Sequence, residues 1–400
     1  MDRREYLRTI VAGSPTCLAG CFSTRSTPSP GLVTCRDGST QTPADSTLGP
    51  VNGTWPAPHF DARNTGHDPD GTGPGNCPTT QWTFDVAATS ELFLRAPVVA
   101  DGTVFVGRES VYALDAASGD VSWQTSAPRG LAGPLATADG TVYTANGNGV
   151  FALDATNGDA TTLTTVSTDT LGAPTVVDET LYVGTDAGAL VAVGLVDGLR
   201  WRTDLTGGGS DPPGLGGKPA VADDVVYAGS EDGTVHAVDA VTGEIRWQRS
   251  TPGTLWDAVV VGEDLVYAPD QTSVTAFRRS DGTEEWTLFD DGGYVTGSPA
   301  LARGALYVQA GPSLQEAQIR AVDAATGETR WARNVETPET SPVVVDDRVY
   351  FGAGSDLVAL DTSGDRRWRV DPRDDIHAPA VVVDGVVYLT ATGTSVLAVA

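Results

Sequence analysis

The sequence predicts an all-β protein, an eight-bladed β-propeller of four-stranded antiparallel blades. Two observations predict it. The first is a recurring text, clearest at Ala237-Val238-Asp239-Ala240-Val241-Thr242-Gly243-Glu244-Ile245-Arg246-Trp247, which reads as strand end, tight turn and strand start closed by an aromatic. It returns as Ala113-Leu114-Asp115 through Gly119 to Trp123, Ala321-Val322-Asp323 through Gly327 to Trp331, and Ala359-Leu360-Asp361 through Gly364 to Trp368. Weaker copies begin at Ala152, Ala192 and Ala276. A spacing of roughly 40 residues is the signature of a repeat architecture. The second observation is the front half of each repeat: a short apolar run, an Asp/Gly turn, then a run carrying an aromatic. Pro219–Ala222 followed by Val225–Gly229 is one example, and Pro342–Val345 followed by Val349–Gly352 is another. Val, Tyr and Thr bounded by Gly and Asp are strand and hairpin chemistry. Four antiparallel strands per period make a propeller blade. A helical solenoid of the same period would need apolar residues at 3.6-residue spacing, which these segments lack.

The blades are counted from their aromatics. Second strands carry Phe105, Tyr143, Tyr182, Tyr227, Tyr267, Tyr307, Tyr350 and Tyr388. Outer strands carry Trp123, Trp201, Trp247, Trp286, Trp331 and Trp368, with Leu163 in the second blade's slot. The last repeat stops at Ala400, before its outer strand, while Gln81-Trp82-Thr83-Phe84 precedes the first inner strand. The N-terminal strand bearing Trp82 is therefore expected to complete the last blade, which removes two free sheet edges. A closed ring of this kind is expected to be a monomer.

The chain carries 52 acidic against 25 basic residues, a net charge of -27, and Lys218 is its only lysine. Such acidity argues against a nucleic-acid partner, whose phosphates need a basic surface. An acidic, lysine-poor surface suits solubility in concentrated salt and points to a salt-adapted source, a halophilic archaeon.

Residues 1–21 read as a twin-arginine lipoprotein signal rather than as structure. Arg3-Arg4-Glu5-Tyr6-Leu7 has the paired arginines before an aromatic and a leucine. A short apolar stretch follows, and Leu18-Ala19-Gly20-Cys21 resembles a lipobox whose Cys21 is lipidated. The expected location is the cell surface, lipid-anchored to the outer face of the cytoplasmic membrane. Residues 22–50, rich in Ser, Thr, Pro and Gly, read as a disordered tether. Cys35 and Cys77 flank its end and are candidates for a disulfide, with two free thiols as the alternative. Residues 51–80 read as an irregular lead-in packing on the ring. Asp68, Asp70 and Asn76 lack the continuation that a calcium loop needs, so turns are expected there. Residues 81–400 form the propeller. Its two long connections are residues 207–217 and 310–318, and the Gly-rich first of them precedes a strand, so it is no phosphate loop.

The Ala-x-Asp-x-x-Thr-Gly-x-x-x-Trp text resembles the pyrroloquinoline-quinone (PQQ)-type propeller repeat, over roughly residues 82–400. That resemblance implies eight blades with each outer tryptophan packed between neighbours, and a weaker contact where Gly194, Arg278 and Leu163 depart from the pattern. It also implies one of two functions. Quinone-dependent dehydrogenases of this family hold PQQ and calcium over the channel, use a catalytic Asp and often carry an adjacent-cysteine disulfide. This chain has no Cys-Cys pair and few lysines or histidines to meet the quinone carboxylates. The other class is similar to BamB-type lipoproteins, non-catalytic scaffolds that present loops to partner proteins. The expectation is accordingly a non-catalytic, membrane-anchored propeller binding protein, peptide or a small ligand, without cofactor. A PQQ- or calcium-dependent dehydrogenase is the alternative. No catalytic or metal residue is assigned: no Gly-x-Ser-x-Gly elbow and no paired histidines at metal spacing occur. Arg95, Trp256 and His377, at the starts of inner strands, are candidates for lining a pocket at one channel mouth.

Overall fold

A computed structural model describes residues 48–86, 94–107, 109–126, 134–165, 172–207, 212–289, 293–313, 316–336, 340–372, 375–391 and 395–400, together with the backbone of three short strands before residue 48. Eight sheets, each containing a four-stranded antiparallel blade, form the ring, and in seven of them the four blade strands are consecutive in the chain. Blade 1 runs from Val98–Ala100 to Val121–Ser126, blade 4 from Leu215–Ala222 to Ile245–Ser250, and blade 7 from Val343–Val345 to Arg366–Val370. Blade 8 consists of Val381–Val383, Val386–Ala391 and Ser395–Val399, completed by Thr80–Asp85 as its outer strand. Trp82 there stands opposite Ala398, as expected for the closing strand.

The recurring Ala, Asp, Gly and Trp of the repeat text each have a structural reason. Across blade 4 one row reads Ala220, Tyr227, Ala237, Trp247, each opposite the next. The small Ala between two aromatics lets tyrosine and tryptophan meet above it, with ring centroids 5.9 Å apart. The same pair recurs in six other blades at 5.7 to 6.0 Å, tilted as aromatic quadrupoles favour. Just beyond that Ala the register shifts by a bulge, which adds twist where the blade must splay outward. The Asp of the turn accepts backbone N–H bonds two and three residues on, as Asp239 does from Val241 and Thr242 at 3.0 and 2.8 Å, an Asx turn.

Blades are joined by the tryptophans. The indole N–H of Trp201 donates to Ala240 O of the next blade at 2.9 Å, and Trp82, Trp123, Trp247, Trp286 and Trp331 make the equivalent bond. The turn glycine of the next blade lies flat under the indole. A Cβ at Gly243 would sit 2.9 Å from Trp201 with φ at +76°. At Leu163 the arrangement lapses: among the described residues a Cβ on Gly198 would have only the Leu163 carbonyl within 4 Å, at 3.6 Å. In blade 7 the Trp368 Nε1 is buried without a hydrogen-bond partner among the described residues.

Gly243→Ala is expected to cost about 2 kcal/mol, since a left-handed residue with a side chain costs about 1–2 kcal/mol before any clash. Gly140→Ala is the control: φ is +70°, yet nothing lies within 4 Å of the new Cβ. Chemical denaturation that gave equal losses for the two would refute the indole contact as the reason for the glycine.

Three short strands before residue 48 add to outer edges. Arg25–Ser26 pairs with Thr83 and Phe84, and Val33–Cys35 pairs with Trp368 to Val370 on blade 7, with Thr40–Gln41 beyond it. Composition gave no strand signal there. The pairing is the ordinary affinity of an open sheet edge for extended backbone.

Candidate functional site

The inner strands line the channel; in blade 7 the channel-side edge pairs in parallel with His67–Asp68, and in the other blades it has no strand neighbour among the described residues. The residue that follows the one facing the second-strand aromatic points its N–H into the channel. In six blades that N–H meets a carbonyl of residues 55–66. Val99 N donates to Trp55 O (3.0 Å), Thr137 N to Pro56 O (2.7 Å), Val221 N to Ala62 O (2.7 Å), Val261 N to Arg63 O (2.9 Å), Leu301 N to Thr65 O (2.7 Å) and Val344 N to Gly66 O (2.8 Å). The segment enters at blade 8, where Asn52 N and Gly53 N donate to Asp384 Oδ2 at 2.7 and 2.8 Å. It leaves at the same hairpin, where Gly385 N donates to Thr72 O at 2.9 Å. Residues 52–72 thus make one circuit of the ring and act as a gasket at the end of the channel that carries the hairpins between inner and second strands. These bonds satisfy backbone groups that would otherwise stand open in the interior.

Local chemistry shapes this circuit. Asp61 accepts from Arg63 N, Thr65 N and the Thr65 hydroxyl at 3.0, 2.9 and 2.7 Å. His59, Phe60 and Asn64 take φ of 61°, 68° and 59° to turn the chain inward, a conformation held only where surroundings enforce it. Asn64, fully buried, donates through Nδ2 to Lys218 O and Val259 O at 2.9 and 3.0 Å. Lys218, the only lysine, is buried and donates from Nζ to Pro58 O at 3.1 Å and Asp61 O at 2.7 Å. Burial pulls its amine down to about 8, with Asp61 acting the other way. His59 is half-buried. Burial, and then the Lys218 charge, lower it to about 3. Asp68 closes a turn on Asp70 N and Gly71 N at 3.1 and 2.9 Å.

The three mouth candidates are not brought together. Val98, Val260 and Val381 are register equivalents, each opposite the second-strand aromatic. Trp256 and His377 both stand four residues before that point. Arg95 stands three before it, equivalent to Asp257 and Ala378, so it does not share their position. Blades 8 and 1 adjoin, whereas blade 5 lies across the ring. Arg95 is exposed, and Trp256 and His377 are half-buried. Burial lowers the His377 pKa, and Asp375 raises it. The Trp256 backbone is pressed against blade 4, where a Cβ on Gly216 would come within 2.8 Å of its Cα and 2.3 Å of Leu255 O. The glycines ending the 207–217 connection serve this flush contact.

One catalytic-looking group escaped the sequence reading. Ser230 Oγ lies 3.2 Å from His236 Nε2 and donates to Asp232 Oδ1 at 2.5 Å. It is no nucleophile triad. Ser230 is fully buried, and the buried His236 Nδ1 has no hydrogen-bond partner among the described residues, so no carboxylate there orients the imidazole. Burial instead lowers His236 to about 4. Cys77 is disulfide-bonded. Arg3, Arg4 and Cys21 lie outside the described residues, as does the Cys35 side chain.

The circuit-lined channel, the blade count and the indole bridges define a closed eight-bladed propeller built from PQQ-type repeats. The family described as outer membrane protein assembly factor BamB matches residues 78–199 and 197–399, and the chain belongs to it. The chain resembles the crystal structure of BamB from Moraxella catarrhalis, with TM-score 0.63 and 18% identity over 79% of this chain and 97% of that one. It also resembles the quinohemoprotein alcohol dehydrogenase ADHIIG from Pseudomonas putida HK5, with TM-score 0.69 and 16% identity over 87% and 80%. A europium-containing methanol dehydrogenase gives TM-score 0.66 and 15% identity over 86% and 90%. At these identities the likenesses establish the fold. No curated protein matches in sequence.

The residues present do not fit PQQ with calcium. The lone lysine is committed to two carbonyls at the channel floor. Burial lowers both His59 and His377, which disfavours the charged form that would meet the quinone carboxylates. Among the described residues no group of three or more His, Cys, Asp or Glu could hold a metal, whereas calcium takes six to eight oxygens.

Proposed function

We propose that this protein is a non-catalytic propeller scaffold, held at the outer face of the cytoplasmic membrane by a lipid on Cys21, that binds a partner protein or peptide. The observation that carries this reading is the gasket of residues 52–72, which commits the inner edges of six blades to the chain's own backbone. What remains for recognition is the opposite mouth, where Trp256 and His377 stand, and the outer rim. The BamB family membership favours a protein partner, and a monomeric ring with one free mouth suits a one-to-one complex. Among the described residues no helix is long and apolar enough to cross a membrane.

The test is site-specific photo-crosslinking in intact cells. A crosslinker at Trp256 is expected to capture a discrete partner, while one at Asp139, on the gasket end, gives none. Capture from Asp139 alone would refute the assignment of the face. Cys21→Ser is expected to release the protein from membranes, and retention of that variant would refute the anchor.

A further inference from the structure

The chain holds seven asparagines, and one alone, Asn52, opens an Asn-x-Ser/Thr acceptor sequence, Asn52-Gly53-Thr54. That sequence is the acceptor of N-linked glycans in exported proteins. From it and its setting we infer that Asn52 is a glycosylation site.

Three structural facts support the assignment. Exposure alternates along the segment: Val51 and Trp55 are buried at 5% and 1%, whereas Asn52 and Thr54 are exposed. Both side chains that a glycosyltransferase must engage therefore project to the same outer side. Neither makes a side-chain hydrogen bond among the described residues, so the carboxamide and the hydroxyl are both free to enter an enzyme's site. The backbone is fixed from below, by the two N–H bonds to Asp384 Oδ2 and by an approach so close that a Cβ on Gly53 would lie 2.7 Å from Val383 Cγ1. The middle position thus requires glycine for packing. The disulfide at Cys77 is a separate indication of an oxidising compartment outside the cytosol. The inference rests on the extracytoplasmic location proposed above.

The donor is a polyprenyl-phosphate-linked oligosaccharide. Asn52 Nδ2 attacks the anomeric carbon of the first sugar, a C–N bond forms, and the bond from that carbon to the phosphate oxygen breaks. The phosphate leaves with the electron pair, and the proton lost from Nδ2 passes to a base. No oxidation occurs. A glycan here would stand on the gasket side of the ring, over the blade 8 hairpin, and bar a partner from that area. Docking would then be directed to the opposite mouth.

The experiment isolates the full chain from the membrane fraction of its native cells. Cleavage after Arg36 and Arg63 yields the peptide 37–63, in which Asn52 is the only asparagine. Mass spectrometry is expected to find an oligosaccharide on it, lost in Asn52→Gln and Thr54→Ala and kept in Thr54→Ser. A bare peptide in surface-located protein would overturn the assignment while leaving the location intact. An added sugar that persists in Asn52→Gln would lie on a hydroxyl and would also overturn it. Protein found only in the cytosol would overturn the location, and this inference with it.

Discussion

Trp82→Ala is expected to lower the free energy of unfolding by about 4 kcal/mol, within the range for emptying a tryptophan site in a core, a larger effect than at the half-buried tryptophans of other blades. Trp82 is 2% exposed, while Trp123, Trp201, Trp286 and Trp331 are half-buried. Its ring lies 5.8 Å from Tyr388 and covers Gly119, and its N–H donates to Ala116 O at 3.1 Å. It also sits on the strand that joins the two ends of the chain, between blade 8 and blade 1. Neighbouring blades hold one another, so loss at the seam removes contacts on both sides. Urea denaturation checks this, with Trp123→Ala as comparison. A loss at Trp82 no larger than at Trp123 would show that the seam is not a special point of closure.

The second large effect is a loss of stability in acid. Burial lowers all four histidines, His59 to about 3 and His236 to about 4. Burial disfavours the charged form of each in the folded state, whereas the unfolded histidines take up protons near pH 6.5. Below 6.5 the unfolded state therefore binds more protons, and stability falls with pH until the folded pKa is reached. For the almost fully buried His236 alone, the shift corresponds to about 3 kcal/mol by pH 4. Lys218 acts at the other end. Its unfolded pKa of 10.5 exceeds its folded value of about 8, so stability should rise as pH climbs through that window. The rise stops near pH 10, where the unfolded tyrosines ionise while Tyr267 and Tyr350, raised to about 12 by burial, do not. Denaturation midpoints across pH 4 to 10 test both limbs. The alkaline rise should vanish in Lys218→Met, and a profile flat from pH 7 to 4.5 would contradict the histidine assignments.

The blades were legible because each repeat writes its own packing: alanine between two aromatics, an Asp turn, a glycine under an indole. Seven such sentences, with a terminal strand left over, left one closure available. The gasket was not legible, since residues 52–72 follow no period. Their order comes from inner-strand N–H groups that exist only once the ring has closed. One signal was available, because a single lysine in a lysine-free chain marked Lys218, which ties the gasket to blade 4. Arg95, Trp256 and His377 were aligned by counting back along irregular segments, and a one-residue offset at Arg95 was invisible without the strand register.

The most direct test of a scaffold reading is a titration of purified residues 22–400, in high salt, with pyrroloquinoline quinone and calcium. Tryptophan fluorescence reports binding, and dye-linked oxidation of alcohols and sugars reports turnover. Unchanged fluorescence and no turnover in folded protein are the predicted result. Saturable quenching accompanied by oxidation would contradict the account and make the propeller a dehydrogenase.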